Sequence, residues 1–127
     1  MTTTTTESKE MYLEVILQLE RRNEEVRSVD IASELGYSKP SVSRAMKVLR
    51  ELGYIEHESY GKIKLTPKGR KTAQQMISRH ETITEFLRTS LKIDAQTAEE
   101  DACRIEHIIS QKTADAILKF VEDQKKL

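Results

Sequence analysis

Cys103, Glu106 and His107 stand at i, i+3 and i+4 within the stretch AEEDACRIEHIIS. On a helix that spacing puts a thiol, a carboxylate and an imidazole on one face. Such a face is half of a transition-metal site, and the remaining donors must come from elsewhere in the chain. Met11 with Glu14 one turn on, near the N-terminus, and His80 in mid-chain are the candidates. Thioether, thiolate, carboxylate and imidazole together suit a borderline divalent ion and are too soft a set for magnesium or calcium. They also make a poor structural zinc site, which prefers four Cys or His ligands, whereas this chain has one cysteine. Fe2+ is therefore the first expectation and Mn2+ the alternative, with Co2+, Ni2+ and Zn2+ expected to substitute in vitro because bare affinity favours them. Taken singly, each residue also has a plainer reading: a small buried thiol, a core histidine, a packing methionine. Their grouping speaks for the metal, because Ile105, Ile108 and Ile109 already supply an apolar face beside Glu106 and His107.

The elements that must position these donors are mostly helical. Thr2 to Thr6 is a β-branched homopolymer with nothing to bury it and is expected to be a disordered start. From Ser8 a helix carries Tyr12, Val15, Ile16 and Leu19 on one face, with Met11 and Glu14 beside it, and ends near the polar run Arg21 to Glu25. Residues 28–35 form a short second helix with Val29, Ile31, Ala32 and Leu35 inward, stopped by Gly36. Ser38 caps a third helix in which Pro40 is tolerated in the first turn, with Val42, Ala45, Met46, Leu49 and Leu52 inward. YIEHESYGKIKL then alternates around Tyr60-Gly61 as a two-strand hairpin. Thr66-Pro67 restarts a helix that carries Ala73, Met76, Ile77, His80, Ile83 and Leu87 and runs to about Leu91. Asp94 caps the helix bearing Cys103, and Ser110 begins a last one with Ala114, Ile117, Leu118 and Val121 apolar. The expected fold is mainly α: an N-terminal winged helix-turn-helix, residues 1–71, followed by an α-helical metal-binding domain, residues 72–127.

Charge supports that division. The chain carries 21 basic and 21 acidic residues, but residues 36–71 hold nine Lys or Arg against three Glu. Residues 1–35 hold four against eight, and residues 93–127 five against eight. A basic middle between acidic ends is the layout of a phosphate-facing module on an acidic support. Ser38, Lys39, Ser41, Ser43, Arg44 and Lys47 point outward on the third helix. Their small hydroxyls allow close approach to the major groove, and Arg44 can donate two bonds to a guanine edge. Lys62 and Lys64 lie in the wing, where contact with phosphate sets affinity and register.

A single cysteine fits a reducing, cytoplasmic setting, and neither an apolar run of membrane-spanning length nor a signal region is visible. The alternative function is a metal-independent winged-helix regulator with Cys103 as a redox switch. A metalloenzyme is not expected, since the chain has no H-E-x-x-H motif and no evident loop for a small organic substrate.

EMYLEVILQLE, SVDIASELGYSKPSVSRAMKVLRELGYI, KIKLTPKG, RHE and ACRIEH, taken together, resemble the diphtheria toxin repressor family, which includes the manganese transport regulators. The resemblance covers essentially the whole chain. It implies a metal-activated homodimeric repressor that binds a double-stranded DNA operator and controls metal homeostasis genes, with residues 72–127 as an α-helical metal-binding and dimerisation domain. It also implies ligands at Met11, Cys103, Glu106 and His107, a neighbouring site at His80, and DNA contacts from Ser38, Pro40, Ser41, Ser43 and Arg44. Met11 and Cys103 look like the iron-responsive branch, whereas Glu14 matches a carboxylate of the manganese branch. Thr84 stands where a carboxylate usually follows His80, with Glu99 or Glu81 as substitutes. The length of 127 residues is similar to the short members that lack an SH3-like domain.

Overall fold

The computed structural model describes residues 6–23, 25–58 and 61–126. Thr2 to Thr5 of the threonine run and Tyr60 of the expected hairpin turn lie outside them. The chain divides into two compact units, Met1–Gln74 and Gln75–Leu127.

The first unit holds helices α1 (Thr6–Asn23), α2 (Ser28–Leu35) and α3 (Lys39–Glu51), strands β1 (Ile55–His57) and β2 (Ile63–Leu65), and the start of α4 (Pro67–Glu85). α1 begins at Thr6, inside the segment expected to be disordered. Leu13, Ile16, Ile31, Val42, Met46, Leu49 and Ile55 are buried almost completely and form the core. Burying one such side chain contributes about 1.5–3 kcal/mol before entropy is counted. Val29 and Leu52, expected inward, are exposed. An eight-residue helix has one buried stripe, here Ile31 and Ala32, and Leu52 lies past the last turn of α3.

Two local devices shape the helix-turn-helix. Gly36 takes a left-handed φ of 69° and returns its N–H to the Ala32 carbonyl, which ends α2. Ser38 then caps α3, its Oγ accepting from the Ser41 N–H at 3.3 Å, with proline in the first turn. The wing pairs Ile55 with Leu65 and His57 with Ile63 in antiparallel register. The Ile63 N–H also donates to the Val26 carbonyl at 2.7 Å, so the α1–α2 connection adds a bridge to the wing. At the wing's exit Thr66 accepts from the Gly69 N–H at 3.1 Å and donates to the Gly53 carbonyl at 2.7 Å. Gly69 packs directly on the Tyr54 backbone, so that a Cβ added there would collide with the Tyr54 carbonyl.

In the second unit α4 passes into a π-helical turn, Phe86–Ser90, where a continuous α-helix was expected. Lys92 then adopts a left-handed φ of 60° and the Ile93 N–H donates to the Leu87 carbonyl at 2.9 Å. α5 (Ala95–Ile105) and α6 (Gln111–Lys125) follow, capped by Asp94 and Ser110 as their sequences predict. Ala98 and Ala102 are buried, and their small side chains let α5 approach its neighbours closely. Leu118, one of the apolar residues of α6, flanks the buried Ala114–Val121 stripe and is exposed.

Candidate metal centre and nucleic-acid interface

α5 ends at Ile105, with Cys103 in its last turn and Glu106 and His107 directly after it. Glu106 is the C-cap, its N–H bonded to the Ala102 carbonyl, and His107 follows in the turn. Glu106 continues the buried stripe of Ala98 and Ala102 and is itself fully inside, with 0% exposure, while Cys103 is exposed and outside any disulfide. Burying a carboxylate is costly unless strong partners surround it. Two imidazoles do so: His80 Nδ1 lies 2.8 Å from Glu106 Oε2, and His107 Nε2 lies 3.1 Å from Glu106 Oε1. His80 Nε2 in turn lies 2.8 Å from Glu99 Oε1. The second unit thus brings together three of the expected donors and adds Glu99, foreseen as a substitute for the carboxylate absent at Thr84. Thr84 Oγ1 is buried without a hydrogen-bond partner. His80, Glu81, Thr84 and Glu99 line an open cleft of about 720 Å3 together with Asp94, Arg88 and Lys92.

A neutral imidazole donates one hydrogen bond, yet both His80 nitrogens face carboxylate oxygens. The hydrogen bond to Glu106, reinforced by Glu99 and opposed by burial, raises the His80 pKa from 6.5 to about 9. In the metal-free protein the proton is the cation of this cluster. With a raised folded pKa, the stabilisation is fully present below about pH 6.5 and is lost as pH rises through about 9. The difference in urea midpoint between the metal-free wild type and His80→Gln should accordingly shrink across that window. A difference constant from pH 6 to 10 would contradict a charged His80. The set of buried carboxylate and imidazoles fits a divalent first-row ion, which would replace that proton as the shared cation.

Met11 and Glu14 are on α1 of the first unit. Glu14 is 9% exposed, unusual for a carboxylate on a surface helix. Met11 Sδ accepts from the Tyr37 hydroxyl at 3.9 Å, and Tyr37 meets Tyr12 edge-on with ring centroids 6.2 Å apart. Tyr37 immediately precedes the Ser38 cap of α3, a neighbour of Met11 that no spacing pattern indicated.

α3 turns Val42, Ala45, Met46 and Leu49 inward, which leaves Lys39, Pro40, Ser43, Arg44 and Lys47 exposed and Ser41 half-buried. Arg44 Nη2 rests 3.4 Å from Ser41 Oγ, and Ser38 Oγ donates to Ser41 Oγ at 2.9 Å. On the wing Lys62 Nζ pairs with Glu25 at 2.7 Å, and the ammonium holds the Glu25 carboxyl below its usual range. Lys64 lies 3.8 Å from Glu58 and is well exposed. Further along, Lys68 Nζ sits 4.4 Å above the Tyr54 ring and Arg70 pairs with Glu20 at 2.7 Å. These cations lie on α3, around the wing and at the start of α4, several of them paired with carboxylates of the same unit.

Among the described residues no helix is long and apolar enough to cross a membrane. Residues 4–63 match the family model of the iron dependent repressor N-terminal DNA binding domain, and residues 66–126 that of the iron dependent repressor metal binding and dimerisation domain. A transcriptional regulator MntR of Salmonella typhimurium is 39% identical over 111 residues, covering 87% of this chain and 70% of the relative. An uncharacterized HTH-type transcriptional regulator of Methanocaldococcus jannaschii is 34% identical over 120 residues, covering 94% and 96%. The solved structure of the manganese regulator SloR superposes with a TM-score of 0.79 at 30% identity, over 90% of this chain and 53% of that one. The chain therefore spans about half the length of that solved relative. With a winged helix-turn-helix, a helical second unit that holds the imidazole–carboxylate cluster, and both family models matched in order, the chain belongs to the iron-dependent repressor family of metal-dependent transcriptional repressors.

Proposed function

We propose that this chain is a homodimeric repressor activated by a divalent first-row metal, whose ligands are Glu106, His107 and Cys103 of the second unit with Met11 and Glu14 of α1, and His80 beside them. The observation that carries the reading is the fully buried Glu106 carboxylate flanked by His80 and His107 at 2.8 and 3.1 Å. The ion supplies a positive centre that several anionic and polar donors share, and each donor holds its own segment in place. Glu106 and His107 fix the turn after α5. Met11 and Glu14 tie α1 to the same ion. Two recognition helices are thereby held about 34 Å apart, one turn of B-DNA.

Mn2+ becomes the first choice, reversing the order set by the sulfur donors. The oxygen and nitrogen cluster of Glu106, His107 and His80 suits manganese, the second buried carboxylate Glu14 adds to it, and relatives such as SloR carry manganese in their names. Self-association fits the apolar surface of the second unit, where Ile108, Leu118 and Phe120 are exposed and Phe86, Leu91, Ile117 and Phe120 line an open groove. Cytoplasmic operator DNA is the natural partner, and no role as an enzyme is proposed.

The test is an anaerobic gel-shift titration of genomic fragments with Mn2+ and Fe2+ in turn. Retardation that requires metal supports the reading, and equal retardation in chelator sinks it. On the same fragments Arg44→Ala should weaken operator binding by about 1–3 kcal/mol and random DNA much less. Equal losses on both would remove Arg44 from base reading.

A further inference from the structure

His80 and Arg79 are neighbours on α4, and both grip the same residue from different sides. His80 meets the Glu106 carboxylate, while Arg79 Nη1 donates to the Glu106 backbone carbonyl at 2.9 Å. The second arm of the guanidinium, Nη2, donates to Gln111 Oε1 at 2.7 Å. Gln111 is the first residue of α6, and its Nε2 donates on to Asp115 Oδ1 at 2.8 Å. One planar fork therefore ties α4 to the end of α5 and to the start of α6.

The carbonyl at the end of a helix has no intrahelical donor and carries the negative end of the helix dipole. A guanidinium there satisfies the oxygen and adds the favourable charge. Between the two anchored points, Glu106 and Gln111, lies the short turn that includes His107. If the backbone of Glu106 rotated, its carboxylate would leave His80 and His107 together. Metal ligands depend on such outer contacts, whose loss typically costs 10- to 100-fold in affinity.

On the reading that Glu106 and His107 hold the metal, we propose that Arg79 is a positioning residue for that centre, its two-armed bond to the Glu106 carbonyl and Gln111 setting where both ligands sit. It touches no metal and acts only through the turn. Lysine cannot replace it, because an ammonium is a point donor without the fixed fork.

The experiment titrates Co2+ and Mn2+ into the full chain and into Arg79→Met, Arg79→Lys and Glu106→Gln, with urea unfolding of each metal-free protein. Arg79→Met should bind 10- to 100-fold more weakly and shift the Co2+ d–d bands, which report ligand geometry rather than stability. Arg79→Lys should fall between it and wild type, and it serves as the decisive variant should Arg79→Met unfold. Wild-type affinity and spectrum in a folded Arg79 variant, with Glu106→Gln unable to bind, overturn the positioning role and leave the metal centre standing. Wild-type binding by Glu106→Gln instead overturns the centre itself.

Discussion

Glu106→Ala and His107→Ala are each expected to abolish metal-stimulated DNA binding while leaving the protein folded. A ligand shifts a two-state equilibrium only by its differential affinity for the states, so a hundredfold stimulation needs about 2.7 kcal/mol from the metal. Glu106 is the hinge of the cluster: it lies within 3.1 Å of His107 and 2.8 Å of His80, with no exposure of its own. Alanine there leaves two imidazoles without the anion between them, and a cation gains nothing by replacing the His80 proton. His107→Ala removes a nitrogen donor and spares the His80–Glu106 pair. Fluorescence anisotropy of an operator fragment, with and without Mn2+, reads the effect. Residual binding without metal should match wild type in both variants. A metal response of wild-type size in either variant would take that residue out of the centre.

Gly69→Ala should be the most damaging small substitution, with a loss of roughly 3 kcal/mol in unfolding free energy and about 10 °C in Tm. The reason is contact and not conformation, because Gly69 has no positive φ. Its Cα faces the Tyr54 carbonyl, which also accepts from the Thr66 N–H at 3.0 Å. A methyl group cannot displace backbone without breaking that bond and the Thr66 cap. Calorimetry on Gly69→Ala, with Thr66→Ala as the reference for loss of the cap alone at about 1 kcal/mol, measures the difference. Equal melting temperatures for the two variants would show that the backbone yields at little cost.

Much of the fold is local and was therefore legible. Ser38, Thr66 with Pro67, Asp94 and Ser110 announce their helix starts because a cap needs only a side-chain oxygen three residues ahead of an N–H. The inward stripe of α3 from Val42 to Leu49 follows from period alone. Glu106 and His107 stood out by spacing, and Glu106 continues the buried Ala98–Ala102 stripe of α5. Long-range partners left no such trace. Arg79 finds Gln111 across 32 positions, and no pattern linked Met11 to Tyr37. The π-helical turn at Phe86–Ser90 was equally hidden, since an extra residue per turn leaves the apolar composition unchanged.

The bond from the Ile63 N–H to the Val26 carbonyl makes the α1–α2 connection a third rail of the wing. Three residues after α1 ends, the chain is already anchored to β2, and Glu25 one position earlier grasps Lys62. A tilt of the helix that bears Met11 and Glu14 must therefore drag the hairpin's lysines along. Whatever steadies that helix also steadies the hairpin, so on the proposed function grip on the sugar–phosphate chain and seating in the groove should respond to the ion as one movement.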